Sequence, residues 1–264
     1  MAQTKNGARV ILLDEIRGFA ILCMVVYHTM YQLKYSFKVD VPIFFESWFD
    51  IIRNIFAGAF IFISGAMCRF SRNNLKRGVQ CFFLGMLITF VTPLFSSSYI
   101  TFGILHFMGI SMMIYGIFEG AFEKVPGFVG ITLCAVLMTL TWNVSTIHAV
   151  WVNNQIVVDS YGYVGLKGLF EWHIPAKAYQ IGVLFPFGMF NPGEFRSEDY
   201  FPLLPWFFIF LGGSYFGEWA KNGSLPRFFY NSHVKWLAAV GRYTIWVYLL
   251  HIPLIMGICT LIFR

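Results

Sequence analysis

Apolar runs of membrane-crossing length follow one another through almost the whole chain, separated by short basic segments. A backbone buried in hydrocarbon must pair its own N–H and C=O groups, and about 20 mostly apolar residues are needed to cross, so runs of this kind are expected as transmembrane helices. Seven qualify: Ile16 to Leu33, Ile51 to Phe70, Val79 to Phe95, Phe102 to Phe122, Phe128 to Trp142, Tyr200 to Trp219 and Ala238 to Phe263. Composition agrees. The chain is 58% hydrophobic and 12% charged, where a soluble domain carries about 25% charged residues, and mean hydropathy is +0.65. The expected fold is an all-α membrane protein: a polytopic bundle of about seven transmembrane helices forming one domain over residues 1–264, with a long outer loop at 143–199.

Orientation follows from Lys and Arg, which accumulate in short cytoplasmic loops. With the N-terminus inside, twelve of the nineteen fall on the cytoplasmic side: Lys5, Arg9, Arg17, Arg69, Arg72, Lys76, Arg77, Lys124, Lys221, Arg227, Lys235 and Arg242. Lys34, Lys38, Arg53, Lys167, Lys177, Arg196 and Arg264 fall outside. Counting Ala178 to Phe190 as a further span would move the basic loop around Lys221 outside. That stretch is brief and broken by Gly182, Pro186 and Gly188, so it reads as a re-entrant or interfacial segment. The net charge of +6 is accounted for by topology, and no nucleic-acid partner is expected. The C-terminus is expected outside.

The outer segment, with alternating apolar positions at Val150, Val152, Ile156 and Val158, is expected to pack as a lid over the outer mouth of the bundle. Cys23, Cys68, Cys81, Cys134 and Cys259 all lie inside apolar runs and read as small packing residues. The first run begins among the charged residues Asp14, Glu15 and Arg17 and lacks a small-residue cleavage site, so it reads as a retained helix.

An ionisable side chain within a span costs about 2.5 to 3.5 kcal/mol on insertion scales and generally faces a cavity or a partner. Arg17, His28, His106 and His251 are such residues. Arg17 and His28 are eleven positions apart, and eleven steps of about 100° return to nearly the same helix face roughly 16 Å further along. Asp14, one turn before Arg17, is placed to pair with its guanidinium. The three histidines are expected to converge below the lid, with hydrogen-bonded structure as the competing reading for His106 and His251. No HExxH or other ligand spacing supports zinc, so no metal is expected. Arg69, Arg72, Lys76 and Arg77 after the second run serve either as a positive-inside anchor or, with Arg17, as a cytoplasmic phosphate site. Neither a Walker A motif nor a GxGxxG after a strand is present.

The first helix, Leu13-Asp14-Glu15-Ile16-Arg17-Gly18-Phe19-Ala20 running on to Tyr27-His28, resembles the opening helix of the transmembrane acyltransferase superfamily. Three further stretches resemble its heparan-alpha-glucosaminide N-acetyltransferase branch: Phe62-Ile63-Ser64-Gly65 running to Lys76-Arg77-Gly78, Asp199-Tyr200-Phe201-Pro202-Leu203-Leu204-Pro205-Trp206, and Gly241-Arg242-Tyr243-Thr244 with Tyr248-Leu249-Leu250-His251. The resemblance implies a membrane-embedded acyltransferase that takes acetyl from cytoplasmic acetyl-CoA and delivers it to an amine or hydroxyl, commonly of a sugar or glycan, across the membrane. It implies His28 as the catalytic histidine and Arg17 with the basic residues after the second run as the CoA side.

The pantetheine arm of CoA is long enough to run from an inner phosphate site to a thioester near His28, an imidazole suited to general base work near neutral pH. His106 and His251 are further catalytic candidates. Asp199 either orients an outer histidine or sugar hydroxyl or caps the sixth run. Direct transfer and an acetyl-histidine route both remain open, as does a homo-oligomer. The alternative function is a small-molecule transporter or channel using the same buried Arg and His residues, although no internal repeat is evident. The compact length points to a prokaryotic plasma (inner) membrane.

Overall fold

The computed structural model describes residues 9–95, 100–152, 155–195 and 197–263; Lys5, Arg196 and Arg264 of the charge count lie outside them. The helices are α1 (Ile11–Tyr35), α2 (Ser47–Cys68), α3 (Asn74–Phe95), α4 (Ile104–Phe122), α5 (Gly127–Thr141), α6 (Ala176–Gln180), α7 (Leu203–Lys221), α8 (Lys235–Arg242) and α9 (Thr244–Ile262). Strands β1 (His148–Val152) and β2 (Gln155–Ser160) form one antiparallel hairpin, and β3 (Tyr163–Leu166) and β4 (Phe170–His173) another. Among the described residues, Trp48–Cys68, Asn74–Leu94, Ile104–Phe122 and Thr244–Ile262 are long and apolar enough to cross a bilayer. Gly127–Thr141 is a shorter apolar helix. The bundle turns large apolar side chains outward, among them Phe83, Phe90 and Leu94 on α3 and Leu254, Ile258 and Leu261 on α9, the surface of an integral membrane protein.

The expected run Ala238 to Phe263 is divided: α8 ends at Arg242 and α9 begins at Thr244. The head of α8 is held by α1. One oxygen of the buried Glu15 carboxylate accepts the N–H groups of His233 and Val234, each at 2.8 Å, and the Ser232 hydroxyl at 3.2 Å. That satisfies donors at the head of α8 and ties it to the start of α1. Contact is close enough to require glycine: a Cβ on Gly18 would sit 2.1 Å from the Leu237 carbonyl oxygen, and one on Gly241 would sit 1.9 Å from that of Asp14. On the other side of the bundle α2 packs on α7, where a Cβ on Gly65 would lie 1.8 Å from the Phe210 oxygen. Small residues at such seams bring helix backbones together where lipid supplies no hydrophobic drive. α3 packs on α4, α5 on α7, and α1 on α2 and α9. Phe37 and Phe263 meet just beyond the ends of α1 and α9, so both helices finish at the same end of the bundle, the end towards which His28 lies.

The segment expected as a lid contains the two hairpins, α6 and a 3-10 turn at Gly182–Phe187. Ala178 to Phe190 thus contains no helix of spanning length. Tyr179, buried, donates its hydroxyl to the Val144 carbonyl and pins this segment to the end of α5. Phe190, Phe195 and Tyr200 form an aromatic cluster that continues to Phe185 and Phe102 at the head of α4.

Candidate functional site

A cavity of about 410 Å³ opens at the His28 end of the bundle. Its α1 wall runs from Ala20 to His28, eight residues or about 12 Å of helix. α2 contributes Arg53 and Asn54; the segment before α7 contributes Ser197, Glu198 and Asp199. Tyr27, Trp142 and Trp206 give it aromatic walls with polar edges.

His28 is buried, with Nδ1 sealed from solvent and without a partner among the described residues. Behind it, away from the cavity, stands His251, its ring centroid 5.0 Å from that of His28. Nδ1 of His251 lies 2.5 Å from the Tyr248 carbonyl oxygen. A carbonyl only accepts, so this nitrogen carries the proton, and Nε2 of His251, also sealed and unpartnered, is left as a bare acceptor. His106 stands apart from the pair. Its Nδ1 accepts the Gly103 N–H at 3.3 Å, which caps α4, and its Nε2 lies 3.3 Å from the Thr89 hydroxyl. The ring packs against Phe82 and Phe102 and does not line the cavity.

Asp199 is buried at the head of a helix, although not the one that follows it. Its Oδ2 accepts the Ile104 N–H at 3.1 Å, the first turn of α4, and the Tyr248 hydroxyl at 2.8 Å. One carboxylate therefore ties the segment before α7 to α4 and α9. Burial holds its carboxyl above the usual carboxylate range, against the pull of those two donors.

Glu198 was not singled out by the sequence, whose only signal was its adjacency to Asp199. Burial pushes its carboxyl from 4.5 up to about 7, opposed by hydrogen bonds from Tyr31 and Gln32 and assisted by the Asp199 charge. Because the folded state favours the protonated form, this contribution to stability is full below about pH 4.5 and lost as pH rises to about 7. The thermal midpoint should fall across that window, and Glu198→Gln should flatten the fall; an unchanged slope in the variant would show that Glu198 is not its source.

At the other end of α1, Arg17 has two sealed nitrogens, Nε and Nη2, without a partner among the described residues. The expected pairing with Asp14 is met only through charge: the Asp14 carboxylate is near enough to act on Arg17, but its bond goes to Arg9, Nε to Oδ2 at 2.6 Å, reaching back over the first turn. The cavity wall begins at Ala20, one turn from Arg17. Arg72, Lys76 and Arg77 are exposed at the start of α3, with Arg77 near enough for its charge to act on Arg17. Arg69 differs from its neighbours. It is buried, donating to the Ser214 carbonyl at 3.1 Å and to Glu123 at 3.0 Å, with Glu218 3.9 Å away, and so joins α2, α7 and the end of α4.

The model of the heparan-alpha-glucosaminide N-acetyltransferase catalytic family matches residues 9–253. The chain belongs to that family. This N-acetyltransferase family membership makes it a membrane enzyme of the acetyltransferase type, and the match includes Arg17, His28, Asp199 and His251. No curated protein and no solved structure matched the chain. Among the described residues, no group of three His, Cys, Asp or Glu side chains is arranged to hold a metal ion.

Proposed function

We propose that this family member transfers acetyl from cytoplasmic acetyl-CoA to an amine or hydroxyl of a sugar or glycan held in the cavity beside His28. The observation that carries the reading is the single face of α1. It presents unpartnered guanidinium nitrogens at one end, a histidine against a cavity at the other, and the cavity wall between them. Arg17, Arg72, Lys76 and Arg77 would hold the phosphates of CoA, while Arg69 is assigned to the fold.

In the transfer, Nε2 of His28 removes the acceptor proton as the acceptor nitrogen or oxygen attacks the thioester carbonyl. The carbon–sulfur bond breaks and CoA leaves as the thiolate, to which the proton on His28 can return. His251 supports this role. Its ring stands against that of His28, centroids 5.0 Å apart, on the side away from the cavity, and with Nδ1 of His28 sealed, Nε2 is the nitrogen assigned to the acceptor proton. Asp199 fixes the frame through Tyr248 and α4 rather than touching the reacting atoms. Purified protein incubated with labelled acetyl-CoA and a panel of sugars and glycans should release CoA and acetylate an acceptor. Failure to bind acetyl-CoA would reject the assignment.

The orientation that goes with this reading puts the Arg17 end in the cytoplasm and all seven runs across the bilayer of a prokaryotic inner membrane. Lys167→Cys, on an exposed turn between β3 and β4, in a version lacking the native cysteines should react with an impermeant thiol reagent from outside intact cells. Labelling only after the membrane is opened would reverse the orientation.

A further inference from the structure

The cavity beside His28 shares a wall with a second space on the side of α5 and α7. Asn54, Trp142 and Trp206 line both, and the second, larger space of about 620 Å³ is an outward-facing groove between α1, α2, α5 and α7. The walls of the groove are almost wholly apolar, with Ile16, Ile55, Met138, Ile209 and Phe216 among them. Its α2 wall extends from Ile51 to Ile63, twelve residues or about 18 Å along the helix, over half the thickness of a bilayer core of about 30 Å. At the junction the chemistry changes within one side chain's width. Asn54 accepts from Arg53, and the rings of Trp142 and Trp206, 6.1 Å apart, border both spaces.

From this adjacency, a polar cavity and an apolar groove divided by three side chains, and resting on the acetyl-transfer reading for the cavity, we infer that the acceptor is amphipathic: its polar head lies in the cavity beside His28 and its hydrocarbon chain passes Asn54, Trp142 and Trp206 into the groove. A water-soluble acceptor needs only the cavity. A head carried on a membrane-resident chain reaches it sideways from the bilayer, and the groove takes up the chain it brings. Gly58 lies in the groove wall without being required by packing, since a Cβ there would meet Ile209 and Trp206 at an ordinary 3.8 Å.

The test uses purified full-length protein in phosphatidylcholine nanodiscs and a dodecyl glucoside carrying a diazirine at the end of its chain. Irradiation should label peptides containing Ile55, Met138 or Ile209, and excess unlabelled dodecyl glucoside should suppress the labelling at least fivefold whereas glucose should not. Gly58→Leu should reduce the labelling by a similar factor; Ile55→Trp, at an exposed position on the same wall, serves should the first variant fail to fold. Labelling spread evenly over the outward faces of α3 and α9, or indifferent to both variants, would overturn the inference and leave an ordinary membrane lipid as the occupant. Labelling does not depend on turnover, so the two readings separate. Groove labelling in a protein that transfers no acetyl would reject the transferase assignment alone, and transfer to sugars with an unlabelled groove would reject the amphipathic acceptor alone.

Discussion

His28→Ala should lower acetyl transfer by about 10²- to 10⁴-fold, the usual consequence of losing a positioned acid–base group, while acetyl-CoA binding stays close to that of the unaltered protein. The separation is expected because CoA recognition is assigned to the opposite end of α1, about 16 Å away by helix rise. His28 is buried against His251, so the variant also leaves a void, and folding must be read alongside turnover by thermal midpoint and monodispersity. Wild-type turnover would remove His28 from the chemistry. Loss of binding and folding together would assign it to the structure instead. Isothermal titration with a non-transferable acetyl-CoA analogue and a single-turnover assay distinguish these results.

Arg17→Gln should weaken acetyl-CoA binding by roughly 30- to 4,000-fold, the equivalent of the 2 to 5 kcal/mol typical for truncating one partner of a desolvated charge pair. The expectation rests on two guanidinium nitrogens that have no hydrogen-bond partner among the described residues, with Asp14 acting on them through charge alone, so donors are left that a ligand's oxygens would satisfy. Arg17→Lys should recover only part of the affinity, because an ammonium keeps the charge but lacks the planar fork that matches phosphate oxygens. Binding to the unaltered protein should weaken with added salt through the exposed Arg72, Lys76 and Arg77. Arg69→Met should behave differently, lowering the thermal midpoint with little direct effect on affinity, since Nε and Nη1 bond Ser214 and Glu123 and Nη2, without a hydrogen bond, lies 3.9 Å from Glu218. Equal affinity in Arg17→Gln and the unaltered protein would leave this end of α1 as a topological anchor.

Much of the architecture was legible because hydrocarbon imposes a strong local rule: backbone polar groups pair within the segment, so a long apolar run announces a helix. Helices were found over every expected run, and the helix rise alone related Arg17 to His28. The family was legible too, from short patterns distributed along the chain and matched over residues 9–253. What the sequence by itself did not determine were the partners of its polar residues. Arg69, Arg72, Lys76 and Arg77 look alike in sequence, yet one is buried in ion pairs to α4 and α7 and the others are exposed, because its partners Glu123 and Glu218 lie 54 and 149 positions away. Asp199 looked like a cap for the run after it and caps α4 instead, while Glu15 ties down the head of α8 across more than 200 positions of sequence. Local periodicity decides which segments become helices, since that choice depends on neighbours a few residues away. Which histidine faces the cavity, which stands behind it and which caps a helix depends on side chains from distant segments competing for the same buried space, and only the tertiary structure decides that.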